Sequence, residues 1–185
     1  MTSMFRSARF GIVPAVLLLA LGAMPAGAAE TPPDMETQTF GNWTLRCLAQ
    51  GQPEVPCDIV QAANDRATGR QIMQTSFAYV ATEKKYIGQI VLPLGFLLKP
   101  GVLIRIDGGA DIADWPVTRC EPQGCVVETL LEANALEPFR RHDDATVIVL
   151  DQQGKPLAYP LSFKGFAAAL DALTARLAAT ATKTK

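Results

Sequence analysis

The sequence predicts an all-β fold: an antiparallel β-sandwich of about eight strands with one C-terminal α-helix packed on it. Three observations predict it. Short apolar segments alternate hydrophobic and polar residues with a period of two, as half-buried strands do. Turn residues punctuate these segments at close intervals and leave no room for helical crossovers. A helical stripe occurs only near the C-terminus.

The elements follow in order. Residues 29–38 are Pro-rich and polar and read as a flexible N-terminal segment before a sandwich domain at 39–180. Trp43, Leu45 and Cys47 alternate with Thr44, Arg46 and Leu48 in a first strand. Strands at 57–62, 71–80 and 86–92 come next, separated by polar turns at 64–69 and 82–85. Pro93-Leu94-Gly95 ends the last of these, and Lys99-Pro100-Gly101 is a turn signature before Val102-Leu103-Ile104-Arg105-Ile106. Asp107-Gly108-Gly109 stops that strand. Strands at 125–130, 145–150 and 157–163 complete the set, the last two joined by a turn at 151–155, with a short helical or looped link at 131–141. Phe166, Leu170, Leu173 and Leu177 form one stripe of a helix over about 164–179, for which Ser162 is the expected N-cap. The opposite face carries Ala168, Ala172, Ala175 and Ala179, which suits a solvent face of high helix propensity or a docking face for a second chain. Residues 181–185 read as a disordered tail.

Ahead of the domain, Arg6 and Arg9 precede an apolar run at 12–21, and Met24-Pro25-Ala26-Gly27-Ala28 offers a cleavage site after Ala28. The run is shorter than the ~20 apolar residues of a spanning helix. Residues 1–28 therefore read as a signal peptide for the general secretory route, leaving a periplasmic or secreted protein that does not span the membrane. The 185-residue chain holds 17 Lys+Arg and 18 Asp+Glu. Removing residues 1–28 takes away Arg6 and Arg9, leaving 15 basic residues against 18 acidic. That balance argues against a nucleic-acid partner, which calls for a basic excess.

The four cysteines, Cys47, Cys57, Cys120 and Cys125, all lie in the domain. An even number in an exported chain reads as disulfides, and their spacing matches short-spaced zinc knuckles poorly. Three pairings are possible. The two local ones, Cys47–Cys57 and Cys120–Cys125, are favoured because each closes a short loop, worth roughly 2–3 kcal/mol.

Catalytic parts are scarce. His142 is the sole histidine, and Ser76 and Ser162 are the only serines beyond residue 28. No nucleophile elbow, His-Glu-x-x-His, phosphate loop or dinucleotide fingerprint occurs, so the common hydrolase classes are not expected and no cofactor or metal is implied, while a pair of carboxylates brought together by the fold stays open as acid/base chemistry. Asp107, Asp111 and Asp114 miss the spacing of a calcium loop. Arg140-Arg141-His142-Asp143-Asp144 reads as a solvated charged turn, with Arg140, Arg141 and His142 as candidate contacts for an anionic partner. Trp43 reads as a core aromatic, and Trp115, just before Pro116, as a loop-packing aromatic or a further candidate contact.

The order of the motifs is itself informative. Phe40-Gly41-Asn42-Trp43-Thr44-Leu45-Arg46-Cys47 leads to Cys57-Asp58-Ile59-Val60-Gln61. Leu92-Pro93-Leu94-Gly95 and Lys99-Pro100-Gly101-Val102 follow, then Ile106-Asp107-Gly108, Arg119-Cys120 with Gly124-Cys125, and Ser162-Phe163-Lys164-Gly165-Phe166. Together they resemble the invasion-associated locus B family of alphaproteobacteria over about residues 38–172. The resemblance implies a small exported β-sandwich of the cell envelope and brings no catalytic residues with it. The expected function is a non-enzymatic protein that binds an envelope or host protein partner. The alternative is a periplasmic sandwich that binds a glycan or lipid.

Overall fold

The computed structural model describes residues 35–48 and 56–183. The expected signal peptide at 1–28 with its cleavage after Ala28, residues 29–34, and residues 184–185 lie outside them. Eleven strands are present among the described residues. They are β1 Met35–Phe40, β2 Trp43–Leu48, β3 Cys57–Asn64, β4 Gln71–Val80, β5 Lys85–Leu92 and β6 Val102–Ile106, followed by β7 Asp111–Trp115, β8 Val117–Glu121, β9 Gly124–Leu131, β10 Asp144–Leu150 and β11 Pro156–Ser162. A 3-10 turn at Ala133–Leu136 runs into helix α1, Glu137–Arg141, and helix α2 spans Phe166–Lys183.

The strands form two antiparallel sheets that share one core. Seven strands run in the order β1-β2-β3-β4-β5-β9-β8, and four in the order β11-β10-β6-β7. Alternation sorts the side chains: in β2, Trp43, Leu45 and Cys47 are buried while Thr44, Arg46 and Leu48 are half-exposed. Helix α2 lies against β1, β2 and β3. The inward rings of Trp43, Phe77, Phe139, Phe163 and Phe166 meet at the centre, with Trp43–Phe166 and Phe77–Phe166 centroids 5.0 and 5.1 Å apart. No described helix is long and apolar enough to cross a membrane.

The structure corrects four expectations. Met35–Phe40 is a strand, so the flexible segment expected at 29–38 does not extend that far. The short strands β7 and β8 were not anticipated, which brings the number above eight. Helix α2 continues to Lys183, into the tail expected at 181–185. Ser162 is not the N-cap: it ends β11, and its hydroxyl donates to the Asp143 carbonyl at 3.2 Å.

Two contacts close the molecule around Ser162. The Gln61 side-chain amide pairs with its backbone like a strand neighbour, Nε2 donating to the carbonyl at 2.7 Å and Oε1 accepting from the amide at 2.9 Å. Trp43 Nε1 donates to the same carbonyl at 2.8 Å. Beside them the two glycine turns touch: Asn42 N–H donates to the Lys164 carbonyl at 2.9 Å, and Gly165, at φ +92°, lies against the Phe40 carbonyl. The first and last of the sequence motifs are therefore one joint. Gln61→Ala leaves the Ser162 amide without its buried partner and is expected to cost about 1–3 kcal/mol, read from the urea midpoint. A loss within error of zero would show that the amide does not fasten β3 to β11.

Candidate functional site

The outward face of the large sheet is built by strand register. Arg46 stands opposite Asp58, Asp58 opposite Ala78, and Ala78 opposite Ile87. The next row runs Thr44, Val60, Ser76, Gln89 and Glu128. Small side chains in the middle leave a groove of about 380 Å³ walled by Met35, Leu48, Pro56, Ser76, Ile87 and Gln89, with the Arg46–Asp58 pair on its floor.

The polar groups in this face are held in fixed positions. Arg46 Nε donates to Asp58 Oδ1 at 2.9 Å, and Nη2 donates to Oδ2, giving a side-on bidentate pair. The hydrogen bond to Asp58 raises the Arg46 pKa above its ordinary value against the opposing effect of burial. Further along, Glu128 accepts from Gln89 Nε2 at 2.6 Å and from Arg119 Nη1 at 2.8 Å, with the Thr118 hydroxyl 3.2 Å away. Burial alone pushes the Glu128 carboxyl up, but the bonds from Arg119 and Gln89 outweigh it and hold the group below its usual pKa. With its charges paired, the groove offers a visitor apolar walls, the Ser76 hydroxyl and the Gln89 amide.

The sign of the Glu128 shift fixes a pH response. A carboxyl depressed in the folded state stabilises the fold fully above its unfolded pKa and ceases to do so as pH falls through the folded value. Glu128→Gln should therefore flatten the acid limb of the stability curve below the ordinary glutamate range and leave its slope near neutral pH unchanged. An acid limb as steep as that of the unsubstituted chain would refute the assignment.

The residues singled out in the sequence fall in several places. Cys47 and Cys57 face each other across β2 and β3 and are bonded, Cα atoms 4.1 Å apart, directly beside Arg46 and Asp58. Cys120 and Cys125 face each other across β8 and β9 and are bonded, Cα atoms 3.9 Å apart. Trp115 is no surface contact: it is 3% exposed, and its indole fills the space that Gly88 leaves open beside Phe77. Arg140 and Arg141 do not form an open basic patch. Arg140 reaches Asp171 of α2 at 2.9 Å, and Arg141 reaches Glu137 one turn back at 3.0 Å. His142 Nδ1 donates to the Pro138 carbonyl at 2.8 Å. Among the described residues, no cluster of His, Cys, Asp or Glu gathers as for a metal ion. Sequence reasoning missed the Arg46–Asp58 pair, although its signal was present: residues flanking a cross-strand disulfide inherit its register.

Fold and site together define a disulfide-stapled, two-sheet β protein whose C-terminal helix closes one half of the larger sheet. The invasion associated locus B (IalB) protein family matches residues 43–174, and the chain belongs to that family. It is 28% identical over 159 residues to the invasion protein B homologue of Brucella abortus strain 2308, covering 84% of this chain and 90% of that protein. It is 23% identical over 129 residues to invasion protein B of Bartonella bacilliformis, covering 70% of this chain and 65% of the relative. The crystal structure of invasion associated protein b from Bartonella henselae superposes with a TM-score of 0.66 at 23% identity, over 77% of this chain and 98% of that one, and so shares the fold.

Proposed function

We propose that the protein is exported to the periplasm or beyond, is not an enzyme, and acts by binding an envelope or host protein through the outward face of the large sheet. The groove around Arg46 and Asp58 carries this reading. It is open, mostly apolar, and its charged groups are already paired, which suits a protein surface better than a reacting substrate. The leader-like residues 1–28 and the two disulfides support an oxidising compartment.

The test is photo-crosslinking in living cells from position 89, followed by mass spectrometry. The expected result is one recurring envelope or host protein, whose capture is lost when Ile87→Lys obstructs the groove. Capture unaffected by Ile87→Lys would remove the groove from the reading. A folded and exported bait that captures no protein but retains a glycan or lipid would replace it with the small-ligand alternative.

A further inference from the structure

We propose that the loop joining β5 to β6, residues 93–101, docks on the surface of an anionic phospholipid bilayer. Leu94, Leu97 and Leu98 are 56%, 38% and 49% exposed, three large apolar side chains within five positions of one loop. Single exposed leucines are ordinary on a protein surface, but a cluster of them in one loop marks an interaction site.

The exposure is built into the loop. Phe96 is buried at 7% and bridges Asp151, the Leu97 amide donates to the Leu150 carbonyl at 2.7 Å, and the Gly101 amide donates to the Leu98 carbonyl at 3.0 Å. The backbone is thus pinned to the core while the leucines point away from it. The adjoining turn brings Lys155 to the same end, since Asp151 N–H donates to the Lys155 carbonyl at 2.8 Å.

Charge favours a lipid headgroup layer as the occupant. Arg46, Arg105, Arg119, Arg140, Arg141 and Lys164 are all in ion pairs. Lys99 and Lys155, which stand beside the leucines, are exposed and have no ion pair among the described residues, as is also true of Arg66, Arg70 and Lys84 in the turns after β3 and β4. The nearby Asp151 carboxylate is turned into its own hairpin, where Oδ1 accepts from the amides of Gln153 and Lys155 at 2.9 and 2.8 Å. Leucines that enter the acyl boundary below lysines at headgroup level are the arrangement of an interfacial anchor. This surface is separate from the sheet groove and stands without the protein-partner reading.

The experiment is co-sedimentation of the full chain with vesicles of phosphatidylglycerol and phosphatidylcholine in equal parts, and of phosphatidylcholine alone. A Leu94→Ser, Leu97→Ser, Leu98→Ser variant and a Lys99→Glu, Lys155→Glu variant keep the same N-terminus, so any contribution of that segment cancels. Because the substituted side chains are exposed, an unchanged thermal transition verifies that both variants fold. The expected result is binding to the phosphatidylglycerol vesicles at low salt that falls about tenfold or more in the leucine variant. The lysine variant should lose about as much on phosphatidylglycerol and little on phosphatidylcholine. A leucine variant that sediments like the unsubstituted chain overturns the proposal. So does a chain that ignores vesicles while the leucine variant loses a protein crosslink in cells, which would mark the loop as a protein surface.

Discussion

A Gly165→Ala chain is expected to lose at least about 3 kcal/mol of stability, a large share of the ~5–15 kcal/mol that holds a domain folded. Two effects combine. Gly165 has φ +92°, where L-residues are strained. A Cβ there would also lie 1.9 Å from the Phe40 carbonyl oxygen, and that neighbour is backbone that has no rotamer to escape into. Relief requires parting the turn after β1 from the turn before α2, which breaks the Asn42–Lys164 bond and pulls Trp43 Nε1 away from the Ser162 carbonyl. Gly154→Ala is the control: it shares a positive φ of +78° but meets nothing within 4 Å, so its cost should be about 1 kcal/mol. Urea midpoints for the two variants separate backbone strain from collision. Equal losses would mean that the glycine joint is not a point of tight backbone contact.

Phe166→Ala is the second large effect, at about 3–5 kcal/mol. Phe166 is fully buried, the first residue of α2, and its ring meets Trp43, Phe77, Phe163 and Phe139 with centroids 5.0, 5.1, 5.8 and 6.0 Å away. Its neighbours come from β2, β4, α1 and the approach to α2 itself, so collapse into the void would have to move several elements at once. The calorimetric midpoint should fall by about 10 °C for a chain of this length. Phe166→Leu should recover a good part of that fall. A shift of only a degree or two would place the helix outside the cooperative core.

The strands that could be read from the sequence are those with one face in the core. Trp43–Leu48 and Asp144–Leu150 show strict alternation in burial, and alternation is what period-two reading detects. Strand β1 could not be found this way, because Met35–Thr39 are all exposed and nothing in them alternates. Strands β7 and β8 are edge strands of five residues, each with an irregularity in its register, so neither sustains a pattern. Trp115 shows the same gap in another form. A tryptophan beside a proline looks like a loop-packing residue until a glycine of the other sheet, Gly88, is seen to make room for it. The site was less legible than the fold. Arg46 and Asp58 are ordinary surface residues in sequence, and only the pairing of Cys47 with Cys57 places one opposite the other.

The joint at Ser162 also sets an order of events. Trp43 and Gln61 are held by a residue more than a hundred positions later, and the same is true of the Asn42 bond to Lys164. A chain delivered N-terminus first, from a ribosome or through a translocation channel, has β2 and β3 available long before their partners emerge. Contacts this distant slow folding, because a long segment must be ordered before they are gained. Core closure must wait for the last strand and helix, and until they arrive Trp43 lacks both the Ser162 carbonyl that accepts its indole N–H and the Phe166 ring that packs on it.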